Sequence, residues 1–201
     1  MTTIPPPIPP RDAQAAAAAA ARFAAAAPAD VRYAELETPV GVVVAVITRK
    51  GLARLDYEDW FGGLDAVLED VAARLSPRIL RGGAALDPVA RELDEYFAGR
   101  RRTFDLPIDW TLVPAFGRRV LQATARIPYG EVATYGEVAA RAGSPGGARA
   151  AGNALGANPV PIVVPCHRVV RAGGGLGGYT GGIERKQRLL AVERGEQALF
   201  G

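Results

Sequence analysis

The feature that most constrains the fold is a change of hydrophobic period in the first half of the chain. From Val40 an apolar run leads into a turn at residues 49–51, and an alternating run then continues to Tyr57. This pattern predicts a β-hairpin. From Leu64 to Leu75 the apolar residues recur at helical spacing, so a helix is expected after the hairpin. Together they predict a small α/β domain.

A second helix in this region has its own start and stop signals. Asp87 is the expected N-cap, Pro88 lies in the first turn, and Gly99 ends the helix. Its apolar stripe consists of Val89, Leu93, Tyr96 and Phe97. The segment from Thr103 to Ile108 fits either a returning strand or a linker.

The domain boundary is expected near residue 110, where Pro107 and Pro114 bracket the chain. We therefore predict an N-terminal α/β domain over residues 30–109 and a second domain over residues 110–201. Residues 1–29 form a tail rich in proline and alanine that lacks an apolar stripe, and we expect it to be disordered or a frayed helix.

Composition narrows the class of protein. No run approaches the roughly 20 apolar residues of a membrane span, and the N-terminus lacks the pattern of a secretory signal, so a cytoplasmic protein without membrane contact is expected. Residues 1–109 carry 13 basic and 16 acidic side chains, whereas residues 110–201 carry 11 and 5, a net charge of +6. This basic half, nearly all arginine, suits contact with phosphate. Charge alone also fits a solvated arginine surface.

Two short helices joined by a tight turn make a helix-turn-helix candidate in the second half. Thr134 and Glu137 form a capping-box pair, and Gly143 ends the first helix. Ser144 is the expected N-cap of the second helix, with Pro145 at its first position.

The second helix, which should run to about Leu155, has very little side-chain bulk around Arg149. Its small residues are Ala148, Ala150, Ala151, Gly152 and Ala154. Such a face could let the backbone approach nucleic acid closely. It fits tight packing on a neighbouring helix equally well.

The single cysteine, Cys166, is followed by the single histidine, His167. One residue of each type excludes an intramolecular disulfide and a Cys/His metal cluster, so no metal site is expected. A lone cysteine in an apolar run is most often an inert core residue. Here the adjacent histidine and the prolines at positions 159, 161 and 165 favour a nucleophile held in one geometry.

The sequence NPVPIVVPCHRVV from Asn158 to Val170, followed by GYTGG from Gly178 to Gly182, resembles the active-site signature of the O6-alkylguanine-DNA alkyltransferases. PYGE from Pro128, Tyr135, Arg149 and GANP from Gly156 occur in the same order and spacing as in that family. The resemblance implies an α/β (α+β) protein. A small N-terminal ribonuclease H-like domain would precede a mainly helical, winged helix-turn-helix-like domain.

The resemblance also implies an irreversible, single-turnover reaction in which the Cys166 thiolate takes an alkyl group from O6-alkylguanine, and also from O4-alkylthymine. His167 would be the base, acting through a bound water, and Glu193 would orient it. Asn158 would brace the turn that holds the cysteine, and Tyr135 would donate a proton to the leaving guanine. The expected catalytic residues are Tyr135, Asn158, Cys166, His167, Lys186 and Glu193.

The guanine pocket is implied in the same way. The backbone amide of Thr180 would bond the guanine oxygen, the carbonyls of Cys166 and Val169 would accept from the exocyclic amine, and Tyr179 would form a wall. The expected substrate-binding residues are Tyr135, Val169, Tyr179, Thr180 and Gly181.

The implied partner is double-stranded DNA carrying O6-alkylguanine, bound through the minor groove with the damaged nucleotide flipped into the pocket. Arg149 would fill the vacated space in the stack and Leu155 would wedge the groove. The expected DNA-binding residues are Ala148, Arg149, Ala150, Gly152, Leu155 and Arg168. No cofactor and no obligate protein partner are implied, so a monomer is expected, associated with the nucleoid if the source is bacterial.

Three other functions compete with this interpretation. An alkyltransferase-like damage sensor would lack the cysteine, which is present. A cysteine hydrolase would need Cys166 and His167 to face one another, which adjacent residues rarely do, and no oxyanion arrangement is evident. A helix-turn-helix regulator would have no need of the Pro-Cys-His-Arg sequence.

Overall fold

The computed structural model describes residues 30–196. The expected N-terminal tail, residues 1–29, lies outside this part. The strands are β1 (Val31–Leu36), β2 (Val43–Thr48), β3 (Gly51–Tyr57), β4 (Ile79–Arg81), β5 (Ala133–Thr134) and β6 (Val169–Val170). The helices are α1 (Glu58–Phe61), α2 (Leu64–Arg74), α3 (Asp87–Phe97), α4 (Ala115–Thr124), α5 (Tyr135–Arg141), α6 (Ala148–Gly156) and α7 (Ile183–Glu193).

The N-terminal domain is a four-stranded sheet in the order β3-β2-β1-β4, with β4 parallel to β1 and the other pairs antiparallel. The predicted hairpin is β2–β3. Alternation along β2 sends Val44 and Val46 to one face, where they pack with Val67 and Val71 of α2. The remaining core residues of β2 face α3 and the rest of the molecule, because side chains of a strand alternate between faces.

Helix α3 begins as expected, but its cap differs from the prediction. A 3-10 turn, Ala84–Leu86, runs directly into the helix, and Leu86 is the N-cap. Asp87 already has helical backbone angles, φ −56° and ψ −40°, so its side chain cannot make the capping bond that requires an extended residue. The segment from Thr103 to Ile108 is a linker, with one isolated bridge between Leu52 and Ile108.

The C-terminal domain is mainly helical and carries the two-stranded parallel sheet β5–β6. The capping box between Thr134 and Glu137 is present at the start of α5. The predicted start of α6 is wrong. Its first residue is Ala148, since Gly146 has a φ of +84° and a helix cannot continue through a left-handed residue from Pro145. Ser144 instead begins a turn, in which its carbonyl accepts from the Gly147 amide at 2.9 Å.

The two domains share one core. A single apolar cluster runs from β2, β3 and α3 into α4, α5, α6 and α7. The Leu55 amide of β3 also donates to the Pro159 carbonyl at 2.8 Å, which joins the N-terminal sheet to the loop before Cys166. Within residues 30–196, every helix is too short or too polar to cross a membrane. The expected mixed α/β domain followed by a helical domain is confirmed.

Candidate active site

A tight turn between α6 and Cys166 is organised by one side chain, Asn158. Its Oδ1 accepts from the Val160 amide at 3.1 Å, and its Nδ2 donates to the Val164 carbonyl at 2.9 Å and to Cys166 Sγ at 3.2 Å. The turn is strained, because the β-branched, fully buried Ile162 has a φ of +72°. The segment around Ile162 must therefore be held in place by its surroundings.

Cys166 lies at the end of this turn and is 5% exposed. Burial raises the pKa of the thiol to about 11, although the hydrogen bond from Asn158 and the charge of Lys186 act in the opposite direction. At neutral pH the resting group is therefore a protonated thiol, and a nucleophilic role requires a base.

Glu193, near the end of α7, is the centre of a buried hydrogen-bond network. Its carboxylate accepts from His167 Nε2 at 2.7 Å, from Arg168 Nη2 at 2.8 Å and from the Gly130 amide at 3.0 Å. Burial by itself would raise the pKa of Glu193. The hydrogen bonds and charges of His167 and Arg168 outweigh it and hold the pKa at about 2. The carboxylate is thus ionised throughout the neutral range.

His167 follows Cys166 in the chain, and its side chain is fully buried next to this carboxylate. Burial lowers the pKa of its imidazole, against the raising effect of Glu193. Since Nε2 faces the carboxylate, it must carry the hydrogen, and Nδ1 then has the free lone pair of the neutral tautomer. Nδ1 is buried and makes no hydrogen bond to another described residue. This nitrogen is the available proton acceptor.

Arg168 does not lie where the sequence predicted. Its side chain is buried, with Nε 2.9 Å from Glu193 Oε2 and Nη1 donating to the Ile127 carbonyl at 2.6 Å. A guanidinium in this position cannot reach a DNA surface. The DNA-contact role predicted for Arg168 is therefore wrong, and its contacts are those of a residue that holds Glu193 in place.

Lys186 lies two turns before Glu193 on α7 and is also fully buried. Its ammonium donates to the Val169 carbonyl at 2.5 Å, to the Leu176 carbonyl, and to the Gly178 carbonyl at 3.4 Å. Burial lowers the pKa of Lys186 to about 8. One side chain therefore ties β6 to the loop that follows it, and one of its partners is the Val169 carbonyl that was expected to accept from the guanine amine.

A cavity of about 290 Å³ opens beside the cysteine. It is lined by Trp60, Tyr135, Gly152, Leu155, Gly156, Cys166, Gly178, Tyr179 and Thr180. The Tyr135 hydroxyl is 3.4 Å from the Gly178 carbonyl, and the Tyr179 hydroxyl is 2.9 Å from that of Tyr57. Three of the five predicted substrate-binding residues thus surround one space.

The other two lie just beyond this lining. Val169 is buried under Lys186. Gly181 is needed as glycine, because its φ is +94° and a Cβ would lie 2.5 Å from the Tyr57 ring. Position 181 therefore sets how closely the pocket loop approaches the N-terminal domain.

Helix α6 presents part of the predicted DNA-binding set. Arg149 and Ala150 are exposed, whereas Ala148 and Gly152 are half-buried. Leu155 is 5% exposed and lines the cavity that contains Cys166. It packs in the core and does not project as a wedge, so that prediction is wrong. The helix thus has one packed face and one exposed face, so tight packing accounts for the small residues on its inner side only.

Sequence reasoning missed the contribution of the N-terminal domain. The hydroxyl of Tyr96 on α3 lies 2.8 Å from Glu193 Oε1, and the ring of Trp60 on α1 lines the cavity. Tyr96 was recognised only as part of an apolar stripe, and Trp60 was not singled out. The one signal for Tyr96 was a hydroxyl on a stripe predicted to be buried, where it needs a partner.

Comparison with known proteins supports one family for both domains. The family model for the ribonuclease-like domain of 6-O-methylguanine DNA methyltransferase matches residues 31–110. The model for the DNA-binding domain of the same protein matches residues 115–195. Together the two matches cover nearly all of the described chain.

Individual relatives align with this chain over most of their length. The chain is 40% identical to a methylated-DNA–protein-cysteine methyltransferase of Mycolicibacterium paratuberculosis, over 82% of this chain and 93% of the relative. It is 38% identical to the constitutive enzyme of that name from Bacillus subtilis, over 81% and 94%. The crystal structure of Mycobacterium tuberculosis OGT in complex with DNA superposes with a TM-score of 0.70 at 36% identity, covering 82% of this chain and 93% of that one.

Proposed function

Because this chain belongs to the 6-O-methylguanine DNA methyltransferase family, and is thus a DNA-repair methylated-DNA–protein-cysteine methyltransferase, we propose that Cys166 is its alkyl acceptor. The observation that carries this assignment is the position of Sγ. It receives a hydrogen bond from Asn158 at 3.2 Å and opens onto a cavity that is also lined by Tyr135 and Thr180.

In the proposed reaction the Cys166 thiolate attacks the alkyl carbon on O6 of guanine. A C–S bond forms, the C–O bond breaks, and the electron pair leaves with the guanine oxygen. Tyr135 donates a proton to the ring as the guanine leaves, and the tyrosinate is reprotonated by solvent. A thioether has no low-energy route back to a thiolate, so each protein acts once. The same chemistry applies to O4-alkylthymine.

Thiol activation is assigned to His167. The thiol proton passes through a water to Nδ1, since Nε2 is committed to Glu193. The resulting imidazolium is stabilised by the carboxylate, and because the pKa of Glu193 is held at about 2, the proton stays on the imidazole. Lys186 adds a positive charge that favours the thiolate.

The guanine is proposed to lie between Tyr135, Tyr179 and Thr180, with Val169 and Gly181 supporting the pocket from behind. Since Cys166 is almost fully buried, a base within a duplex cannot reach it and must be flipped out. The exposed face of α6, with Arg149 and Ala150, is proposed to bind the duplex. We propose that the protein acts as a monomer on double-stranded DNA carrying O6-alkylguanine.

The deciding experiment incubates the protein with a duplex oligonucleotide containing O6-methylguanine. Mass spectrometry should find one added methyl equivalent on Cys166, and repaired lesions should plateau at one per active protein. Cys166→Ser should bind the same DNA and transfer nothing, because an alcohol is far less acidic than a thiol of the same shape. Turnover beyond one equivalent, or methyl on another residue, would overturn the proposal.

Nucleotide flipping is tested with Arg149→Ala. If Arg149 fills the space left by the flipped base, the variant should lose much more activity on duplex DNA than on the free base O6-methylguanine, which needs no unstacking. Arg141→Ala removes another exposed arginine of the same helix-turn-helix unit and is the matched control. Equal losses of Arg149→Ala on duplex and free base would assign Arg149 to the fold or the pocket.

A further inference from the structure

The network around Glu193 includes a residue that lies outside the helical domain. Among residues 30–196, Tyr96 on α3 provides the one side chain of the N-terminal domain that bonds to this carboxylate. Its hydroxyl donates to Glu193 Oε1 at 2.8 Å and lies 3.5 Å from His167 Nε2. It therefore touches both members of the pair that would activate the thiol.

The Tyr96 hydroxyl has little freedom to turn elsewhere. The side chain is fully buried, and its ring packs against Phe97, Phe104 and Tyr129 with centroids 5.1, 5.3 and 5.9 Å away. Burial, followed by the charge of Glu193, raises the pKa of Tyr96 well above its usual value. The group is thus a permanent donor at working pH, aimed at one carboxylate oxygen.

Glu193 Oε1 accepts the hydrogen bond from His167 Nε2 and also one from Arg168 Nη2. A carboxylate with several fixed donors cannot rotate without losing one of them. Because His167 Nε2 is hydrogen-bonded to this oxygen, the direction in which Nδ1 points depends on where Oε1 is held.

We propose that Tyr96 is a positioning residue for thiol activation, through which the N-terminal domain helps to set the reactivity of Cys166. This rests on the proposed role of Cys166 as alkyl acceptor. Tyr96 touches neither substrate nor sulfur. It fixes Glu193, and Glu193 fixes the tautomer and orientation of His167.

The test uses Tyr96→Phe in the full chain, which keeps the ring and removes the hydroxyl. The matched control is Tyr129→Phe, because Tyr129 belongs to the same aromatic cluster but donates to the Val192 carbonyl at 3.2 Å and not to Glu193. With a single cysteine in the chain, reaction with iodoacetamide reports on Cys166 alone. Loss of one hydrogen bond should slow this reaction about three- to tenfold in Tyr96→Phe, and less than about twofold in the control.

A second readout separates positioning from general loosening. The chain has a single histidine, so its imidazole nitrogen resonances are unambiguous. In the unaltered protein and in Tyr129→Phe they should show one Nε2–H tautomer, whereas Tyr96→Phe should shift the Nε2–H signal and mix the tautomers. If Tyr96→Phe is poorly folded, 3-fluorotyrosine at position 96, a stronger donor of nearly the same shape, should shift the Nε2–H signal in the opposite direction.

Unchanged histidine resonances in Tyr96→Phe, or equal slowing in both variants, would overturn the positioning role. Neither readout involves DNA. Methyl transfer from O6-methylguanine by the unaltered protein is measured alongside, and its absence would overturn the proposed function, while the two readouts still decide what Tyr96 does.

Discussion

Helix α7 carries two buried charged side chains, Lys186 and Glu193, and their surroundings are opposite in kind. Lys186 is held by backbone carbonyls, which are dipoles without net charge. Glu193 is held by Arg168 and by donors from His167, Tyr96 and the Gly130 amide. The pKa is lowered in both, to about 8 and about 2, but with opposite consequences.

For Lys186 a lowered pKa brings the neutral form close to working pH, whereas for Glu193 it makes the charged form permanent. Dipoles alone do not replace the hydration of a buried ion, while a charged partner with fixed donors can. The carboxylate end of α7 is therefore suited to hold a constant negative charge beside His167. At the other end of α7, Lys186 holds the loop after β6 in place through hydrogen bonds, and its charge depends on pH.

The largest expected effect comes from Glu193→Gln, which leaves Arg168 buried without its counter-ion. Removing one partner of a buried pair should lower the free energy of unfolding by about 3 to 5 kcal/mol. Transfer should also slow by roughly 10- to 100-fold, since His167 loses a charge-assisted hydrogen bond of about 1.5 to 3 kcal/mol. Urea unfolding measures the loss of stability, and single-turnover kinetics measure the rate of transfer. An unchanged rate at saturating DNA would remove Glu193 from the reaction.

A smaller effect is expected from Lys186→Met, because no opposite charge is left behind. The variant leaves carbonyls of Val169 and Leu176 without their donor, which should lower the free energy of unfolding by no more than about 1 to 3 kcal/mol. Amides of residues 171–182 should exchange with solvent faster than those of α6. A loss as large as that of Glu193→Gln would break the contrast between the two ends of α7.

The pH dependence sharpens the same contrast. The folded chain binds the Lys186 proton more weakly than the unfolded chain does, with a pKa of about 8 against 10.5. Between these values the unfolded state holds more protons, so the free energy of unfolding contributed by this group rises with pH. Lys186→Met should lose that rise when urea unfolding is followed from pH 7.5 to about 10. A variant with the same alkaline slope as the unaltered protein would assign the slope to another group.

The sequence predicted local features of the fold well and long-range pairings poorly. The β2–β3 hairpin and the capping box at Thr134 depend on neighbouring residues, and both are present. The predicted start of α6 was wrong because Gly146 has a left-handed backbone angle, which the preceding Ser-Pro pair does not reveal. A Ser-Pro pair indicates a helix start only if the residues after it can also be helical.

The predictions for the active site show the same difference between local features and long-range contacts. The residues around Cys166 could be identified because they form one continuous motif. Arg168 was assigned to the DNA-binding set, and nothing nearby in sequence shows that its partner is Glu193, 25 residues away. Leu155 was expected to project outward because a helix of small residues does not reveal which face packs.

The smallest net change in the free energy of unfolding is expected from a double variant, Glu193→Gln with Arg168→Met. This variant tests why Glu193→Gln alone should be so destabilising. If the loss in Glu193→Gln reflects the stranded guanidinium, replacing that group by an apolar side chain should restore most of the stability, as removal of both partners of a buried pair is often neutral. Transfer should stay as slow as in the single variant, since His167 still lacks its carboxylate. Some loss should remain because the Ile127 carbonyl no longer has its donor. If the single and double variants are equally unstable, the loss of stability comes from the hydrogen bonds that Gly130 and Tyr96 donate to the carboxylate. The ion pair with Arg168 would then not be what distinguishes Glu193 from Lys186.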